Sequence, residues 1–153
     1  MIWKCISIRH PWNWAILSAG KRVENRTWST KYRGPILLHA AKGMSNGEYA
    51  DFQLFYEHQM PRRPLQSYAK LPAKGALDRG GVVGKAVLID VIMQKDAVPS
   101  GKDNLWAEQF VAPWFFGPYG FVLDEVQPVP FVQHTGELGL FDVPGRVLQE
   151  KVS

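Results

Sequence analysis

Cations, a carboxylate and tryptophans cluster around predicted strand ends in the N-terminal part of this chain. They are Arg9, His10, Trp12, Lys21, Glu24, Arg26, Trp28 and His39. Arginine and lysine neutralise phosphate, and arginine adds a planar fork of donors. A carboxylate can accept from an exocyclic amine or a sugar hydroxyl, while tryptophan can stack on an unpaired base. Because a fold does not need so many charged groups on short strands, these residues indicate a bound polar ligand.

Structural interpretations of the same residues stay open beside that one. Lys21, Glu24 and Arg26 could form an ion-pair network within the chain, since clustered charges are often structural. His39 lies late in an apolar run, which favours a half-buried histidine over a catalytic group. The tryptophans fit a core as well as a stacking surface.

Composition limits the classes of protein to be considered. With 153 residues, the chain is most simply one domain spanning residues 1–153. A single cysteine, Cys5, excludes an internal disulfide and lies in an apolar run typical of core. The four histidines show no metal-ligand spacing, so we expect no metal and no cofactor. No apolar run reaches the ~18 residues of a membrane span, and no signal peptide is evident, which predicts a cytoplasmic protein without a membrane partner.

Charge favours a polyanionic partner to a modest degree. The chain has 18 basic and 14 acidic residues, a formal net charge of +4. One basic group lies in residues 21–33, and a second lies in a proline- and glycine-rich excursion at about residues 60–81. For the second group, ordinary surface charge explains the pattern equally well.

The positions of glycine, proline and helix-capping residues, together with the hydrophobic periodicity, predict about six strands and two or three helices. A helix begins at His10-Pro11 and ends at Gly20, and Ser45 to Glu48 form a capping box before an aromatic helical stripe. Asp103 or Asn104 caps a short helix through Phe110. The predicted strands are residues 6–8, 23–28, 35–40, 82–93, 119–126 and 136–143. Two prolines, Pro128 and Pro130, should break the connection between the last two strands. The pattern predicts a small, barrel-like α+β domain with mostly antiparallel strands.

Several polar positions match one known pattern in order. The chain closely resembles the ASCH domain family of the PUA-like superfamily, in the form seen in stand-alone bacterial and prophage proteins and in the transcription coactivator activating signal cointegrator 1. The segments that carry the resemblance are Arg9-His10-Pro11-Trp12, Lys21-x-x-Glu24-x-Arg26, Leu37-Leu38-His39-Ala40-Ala41, Gly117 to Leu123 and Gly136 to Phe141.

The resemblance implies a PUA-like β-barrel whose cleft binds RNA, DNA or a nucleotide, with Lys21, Glu24 and Arg26 on its floor. We therefore expect a nucleic-acid-binding module, most simply for single-stranded RNA or a modified nucleotide. The expected binding residues are Arg9, His10, Trp12, Lys21, Glu24, Arg26, Trp28, His39, Lys85 and Tyr119.

Two alternatives belong to other classes. Some ASCH relatives are amidohydrolases on an N4-acylated cytidine and others are ribonucleases, which would make Lys21 the base or nucleophile and Glu24 the proton shuttle. The amidohydrolase pattern has threonine where this chain has Glu24, so whether the protein is an enzyme stays open. A protein-interaction role for Trp114-Phe115-Phe116 would need an exposed apolar patch.

Overall fold

The structure, a computed structural model, describes residues 1–59 and 69–149 of the chain. Its strands are β1 (Ile2–Ile8), β2 (Val23–Arg26), β3 (Gly34–Ala40), β4 (Gly81–Ile92), β5 (Tyr119–Gln133) and β6 (Leu140–Pro144). Its helices are α1 (Trp12–Ser18), α2 (Asn46–Gln59), α3 (Asn104–Phe110) and α4 (Arg146–Gln149), with 3₁₀ turns at Lys74–Ala76 and Ala112–Trp114. The predicted α+β class is confirmed, although the described residues form four helices and not two or three.

The strands form one sheet in the order β2-β5-β4-β3-β1-β6. Only β1 and β3 run parallel, and the other neighbours are antiparallel. In the described residues β2 and β6 remain at the two edges, so the sheet is barrel-like without closing. The parallel pair matters for the site because it brings two carboxyl ends to one edge, where Ser7 lies opposite His39.

The prediction for β5 was wrong, because the strand continues through Pro128 and Pro130 to Gln133. Proline cannot donate to a strand ladder and is tolerated where one edge is free. Strand β2 pairs with β5 only at residues 119–122, which leaves the second half of β5 with β4 as its partner. Three other predicted bounds shift by two residues or more, since β1 begins at Ile2, β2 ends before Trp28 and β6 begins at Leu140.

Helix α1 is held between two apolar clusters. Ile16 packs against the sheet with Ile6 and Leu38, while Trp14 packs with Phe52 and Tyr56 of α2. Burial on both sides fixes the helix by the hydrophobic effect and so fixes the turn that follows it. That turn begins the segment that carries Lys21.

Local predictions for α2 and for the cysteine are confirmed. The Ser45 hydroxyl accepts from the Glu48 amide at 3.0 Å, and Glu48 accepts in return from the Ser45 amide at 3.4 Å. The aromatic stripe of α2 is core, with Phe52 and Tyr56 buried. Cys5 is fully buried, and burial raises the pKa of its thiol to about 12.

The predicted basic excursion is covered only in part. Residues 60–68 lie outside the described residues, and the rest includes the 3₁₀ turn Lys74–Ala76. None of the helices in the described ranges has the length and hydropathy needed to cross a membrane. Among residues 1–59 and 69–149, no cluster of three or more histidine, cysteine, aspartate or glutamate side chains is arranged to hold a metal ion.

Candidate binding cleft

A cleft of about 1290 Å³ opens at the carboxyl ends of β1 and β3. Ser7 and His39 lie at its base, and residues 26–28 form one wall. The other lining residues are 41–42, Gly80 and 133–139, and residues 134–139 join β5 to β6. Three of the expected binding residues line it, namely Arg26, Trp28 and His39.

Arg26 is the cation at the base of the cleft, and it is anchored on two sides. Its Nη2 donates to the carbonyl of Ser7 at 2.5 Å, and its Nε lies 3.1 Å from Oε2 of Glu24. The second pair is close enough for an ion pair but is not aligned for a hydrogen bond. The guanidinium carbon lies 6.0 Å from the ring centroid of Trp28. The Arg26 side chain is 22% exposed, and its Nη1 makes no hydrogen bond within the described part of the chain, so donors remain for a ligand.

Lys21 lies behind Arg26 and is only 1% exposed. Its Nζ donates to the carbonyl of Val23 and lies 3.3 Å from Oε1 of Glu24. Burial lowers the pKa of Lys21, while the Glu24 carboxylate opposes that shift. The convergence depends on Gly20, whose φ of 76° lets the chain turn so that Lys21 lies before β2.

The three charged groups of the motif therefore form one chain of ion pairs. Glu24 bridges a buried ammonium and a partly exposed guanidinium. Among the residues that the structure describes, Arg26 alone of the three lines the cleft. We expected Lys21 and Glu24 on the floor of the cleft, but both lie behind the residues that line it. Their position supports the interpretation as an ion-pair network, while Arg26 still lines the cleft.

Ser7 is a cleft residue that the sequence interpretation missed. Its Oγ lies 2.8 Å from Nδ1 of His39, and Nε2 of His39 lies 2.6 Å from the carbonyl oxygen of His134. His39 is 1% exposed, and burial lowers its pKa, although the bond to the His134 carbonyl raises it. The pairing depends on the parallel register of β1 and β3, for which neither local sequence contains a signal.

A second cation, Lys42, lies at the rim of the cleft and was not among the expected binding residues. It is exposed and follows directly after the expected His39-Ala40-Ala41 run. Nearby, Nη1 of Arg79 donates to the Lys42 carbonyl at 3.0 Å, so a further positive charge lies close to this rim. Glu137 is the acid that the cleft lining includes.

His10 has a structural position in the fold. It is buried, and its Nδ1 accepts from the Trp14 amide at 3.1 Å at the start of α1. Burial lowers the pKa of His10 to about 4. The neutral ring therefore serves as a hydrogen-bond acceptor at the beginning of the helix, and it lies outside the cleft.

Four other expected binding residues also lie outside the cleft lining. Arg9 is engaged by Glu48 through two hydrogen bonds, of 2.7 and 2.6 Å. The Trp12 ring meets Phe52 edge-on at 4.9 Å, with Nζ of Lys21 5.6 Å from its centroid. The other two are Lys85, which lies in mid-sheet opposite Leu37, and Tyr119, which pairs with Arg26 across β2 and β5.

The aromatic segment at residues 114–116 is divided between core and surface. Trp114 is fully buried and packs against Phe55 with ring centroids 5.7 Å apart. Phe116 is exposed, and its ring centroid lies 6.3 Å from that of Trp12. In this segment only Phe116 offers the exposed apolar surface that a protein-interaction role would need.

Fold and site together define a class: a small α+β domain with an arginine-anchored cleft at the open ends of a parallel strand pair. The family model of the ASCH domain matches residues 6–129 of the 153-residue chain. The chain therefore belongs to the ASCH domain family, as the resemblance implied. No curated protein matches the chain. In general terms, the family suggests RNA binding or hydrolase-like activity. The stand-alone and prophage form stays a prediction.

Proposed function

We propose that this protein binds single-stranded nucleic acid, most simply RNA, in the cleft at the carboxyl ends of β1 and β3. The observation that carries the proposal is the state of Arg26. Its guanidinium is fixed by Ser7 and Glu24 and lies beside the Trp28 ring, and its Nη1 makes no hydrogen bond to any residue that the structure describes. A pre-oriented guanidinium can bind phosphate with two parallel hydrogen bonds and loses little side-chain entropy.

The surroundings of Arg26 fit a nucleic-acid strand. Lys42 places a second positive charge at the rim, at a point where a neighbouring phosphate could lie. Trp28 forms part of the wall and is half-buried, so one part of its ring packs on Phe121 while another part borders the cleft. Stacking of an unpaired base on an aromatic ring contributes about 1–3 kcal/mol.

The size of the cleft favours a segment of strand over one small molecule. Pockets for small molecules commonly enclose about 300–1,000 Å³. The cleft here has about 1290 Å³, which is more than one small molecule of that class commonly fills.

Equilibrium titration of a fluorescent single-stranded RNA of about eight nucleotides tests the proposal. With two to three cations near the strand, the affinity should fall about tenfold between ~50 and ~200 mM salt. A duplex of the same sequence should bind more weakly, because its bases are not available for stacking. Absence of binding at low salt, or binding that is indifferent to salt, would contradict the proposal.

A hydrolase with Lys21 at its centre is the second candidate. The burial of Lys21, its lowered pKa and its 3.3 Å distance from Glu24 favour this candidate. Against it, Nζ is already engaged by Val23 and Glu24 and lies outside the cleft lining. Incubation with N4-acetylcytidine and with RNA, followed by chromatography, decides between the two. Product that forms with the wild type and is absent with Lys21→Met would establish the enzyme.

The cellular location of the protein is part of the same proposal. A buried, reduced Cys5 and a nucleic-acid partner fit a reducing, cytoplasmic environment, which stays a prediction.

A further inference from the structure

The proton positions of the Ser7–His39 pair follow from its partners. A carbonyl oxygen can only accept, so the 2.6 Å contact between Nε2 of His39 and the His134 carbonyl places a proton on Nε2. A neutral imidazole then has no proton on Nδ1. Since Nδ1 lies 2.8 Å from Oγ of Ser7, the serine hydroxyl must donate to it.

His39 stays neutral in this arrangement. The ring is almost fully buried and forms a T-shaped contact with Phe141, with ring centroids 5.9 Å apart, and burial lowers its pKa. Protonation would reverse the contact, because Nδ1 would then donate to Oγ of Ser7 and the hydroxyl proton would be released from His39. The proton of the Ser7 hydroxyl is therefore committed to His39.

The connection between β5 and β6 packs closely over this pair. At Gly136, a Cβ atom would lie 2.7 Å from Cε1 of His39 and 3.0 Å from Oγ of Ser7. Only glycine permits such an approach, which holds the His134 carbonyl against the ring. Ser7 itself remains partly exposed at the base of the cleft.

As a result, Ser7 presents only lone pairs to a ligand. The backbone carbonyl oxygen of Ser7 accepts from Nη2 of Arg26 at 2.5 Å. The Ser7 hydroxyl, which acts as the acceptor for a ligand, therefore belongs to the residue that the guanidinium contacts. A ligand that satisfies both groups needs a hydrogen-bond donor directly beside an anion. In a ribonucleotide the 2′-hydroxyl and the 3′-phosphate lie on adjacent sugar carbons, whereas a deoxyribonucleotide has the phosphate and no such donor.

We propose that Ser7, oriented by His39, accepts a hydrogen bond from a ribose 2′-hydroxyl and thereby makes the cleft selective for RNA over DNA. This inference rests on the proposed function, because it concerns the same cleft. It assigns Ser7 and His39 a role in specificity, with Ser7 as the contact and His39 as the positioning residue.

Three probes of about eight nucleotides test the selectivity: oligouridine, oligodeoxyuridine and 2′-fluoro-oligouridine. The fluoro probe keeps an RNA-like sugar pucker but has no 2′ donor. The wild type should bind oligouridine about tenfold more tightly than either other probe, the value of one good hydrogen bond. Ser7→Ala should bind all three alike. Ser18→Ala, at the exposed end of α1, is the matched control and should retain the tenfold preference.

If Ser7→Ala does not fold, Ser7→Cys replaces it, because a thiol still donates to Nδ1 but accepts only weakly. The inference is overturned if the fluoro probe binds as tightly as oligouridine, or if the serine variants keep the preference. Equal binding of RNA and DNA by the wild type also overturns it, and leaves the proposed function standing. If none of the probes binds, both the inference about Ser7 and the proposed function are wrong.

An exocyclic amine of a base could donate to Ser7 in place of the ribose 2′-hydroxyl. A comparison of oligocytidine with oligodeoxycytidine distinguishes the two donors. Uridine has no exocyclic amine, whereas cytidine has one. If oligodeoxycytidine binds as tightly as oligocytidine and Ser7→Ala weakens both, the acceptor recognises the base, and the proposal for ribose is wrong. We expect oligocytidine to bind about tenfold more tightly than oligodeoxycytidine, as with the uridine probes.

Discussion

Nζ of Lys21 lies 3.3 Å from Oε1 of Glu24, and both groups are removed from solvent. The same carboxylate reaches Arg26 with its other oxygen, at 3.1 Å from Nε. A buried lysine thus supports a cleft arginine through one shared carboxylate. This relation explains why the three residues occur together although only Arg26 borders the cleft.

Loss of the shared carboxylate should cost more stability than loss of the lysine. Glu24→Gln leaves Lys21 buried without a counter-charge and beside Arg26, whereas Lys21→Met leaves Glu24 paired with Arg26. We expect losses in the free energy of unfolding of about 3 kcal/mol and about 1 kcal/mol, respectively. Urea denaturation at pH 7 measures both. Equal losses, or a larger loss for Lys21→Met, would show that the carboxylate is not the centre of the network.

Protonation of His10 should destabilise the fold in mild acid. Burial lowers the pKa of His10 from 6.5 to about 4, so between these values the unfolded state binds more protons than the folded state. Stability is therefore complete above pH 6.5 and falls as the pH drops towards 4. From pH 7 to pH 5 the loss from this residue is about 2 kcal/mol.

Thermal or urea unfolding at a series of pH values measures the effect of His10. His10→Asn, which keeps an acceptor for the Trp14 amide, is less stable at pH 7 but should have a flatter profile between pH 7 and pH 5. Glu48, whose pKa is lowered to about 2 by Arg9, loses its contribution only at lower pH and does not interfere in this range. A profile as steep as that of the wild type would show that another group titrates.

Lys42 should contribute affinity without selectivity. It is exposed at the cleft rim, where it can neutralise one phosphate of any strand. Lys42→Ala should weaken RNA and DNA by the same factor and reduce the slope of log K against log salt by about 0.7. The matched control is Lys95→Ala, an exposed lysine in the connection after β4 that lies outside the cleft. If both variants give the same slope, Lys42 makes no contact with phosphate.

Features that depend on local spacing could be predicted from the sequence. The capping box of Ser45 and Glu48 and the turn at Gly20 involve neighbours in the chain, and their geometry is set within one helical turn or one tight turn. For the same reason the sequence alone brought Glu24 and Arg26 into one cluster.

Features that depend on distant pairing could not be predicted. Ser7 meets His39 because β1 and β3 run parallel in one register, and His134 completes the contact from the far end of β5. No local periodicity contains that information. The prolines of β5 illustrate the same point, because β5 tolerates them only where the neighbouring strand β2 has ended.

The most direct test of the central claim is a titration of fluorescent single-stranded RNA with Arg26→Gln beside wild type. Arg33→Gln serves as the control, since it removes one exposed arginine outside the cleft, and thermal unfolding verifies that each variant is folded. We expect Arg26→Gln to weaken binding at least tenfold, by about 1.4 kcal/mol or more, and Arg33→Gln to change it less than about twofold. RNA affinity that is unchanged in a folded Arg26→Gln variant would contradict the assignment of this cleft as the binding site.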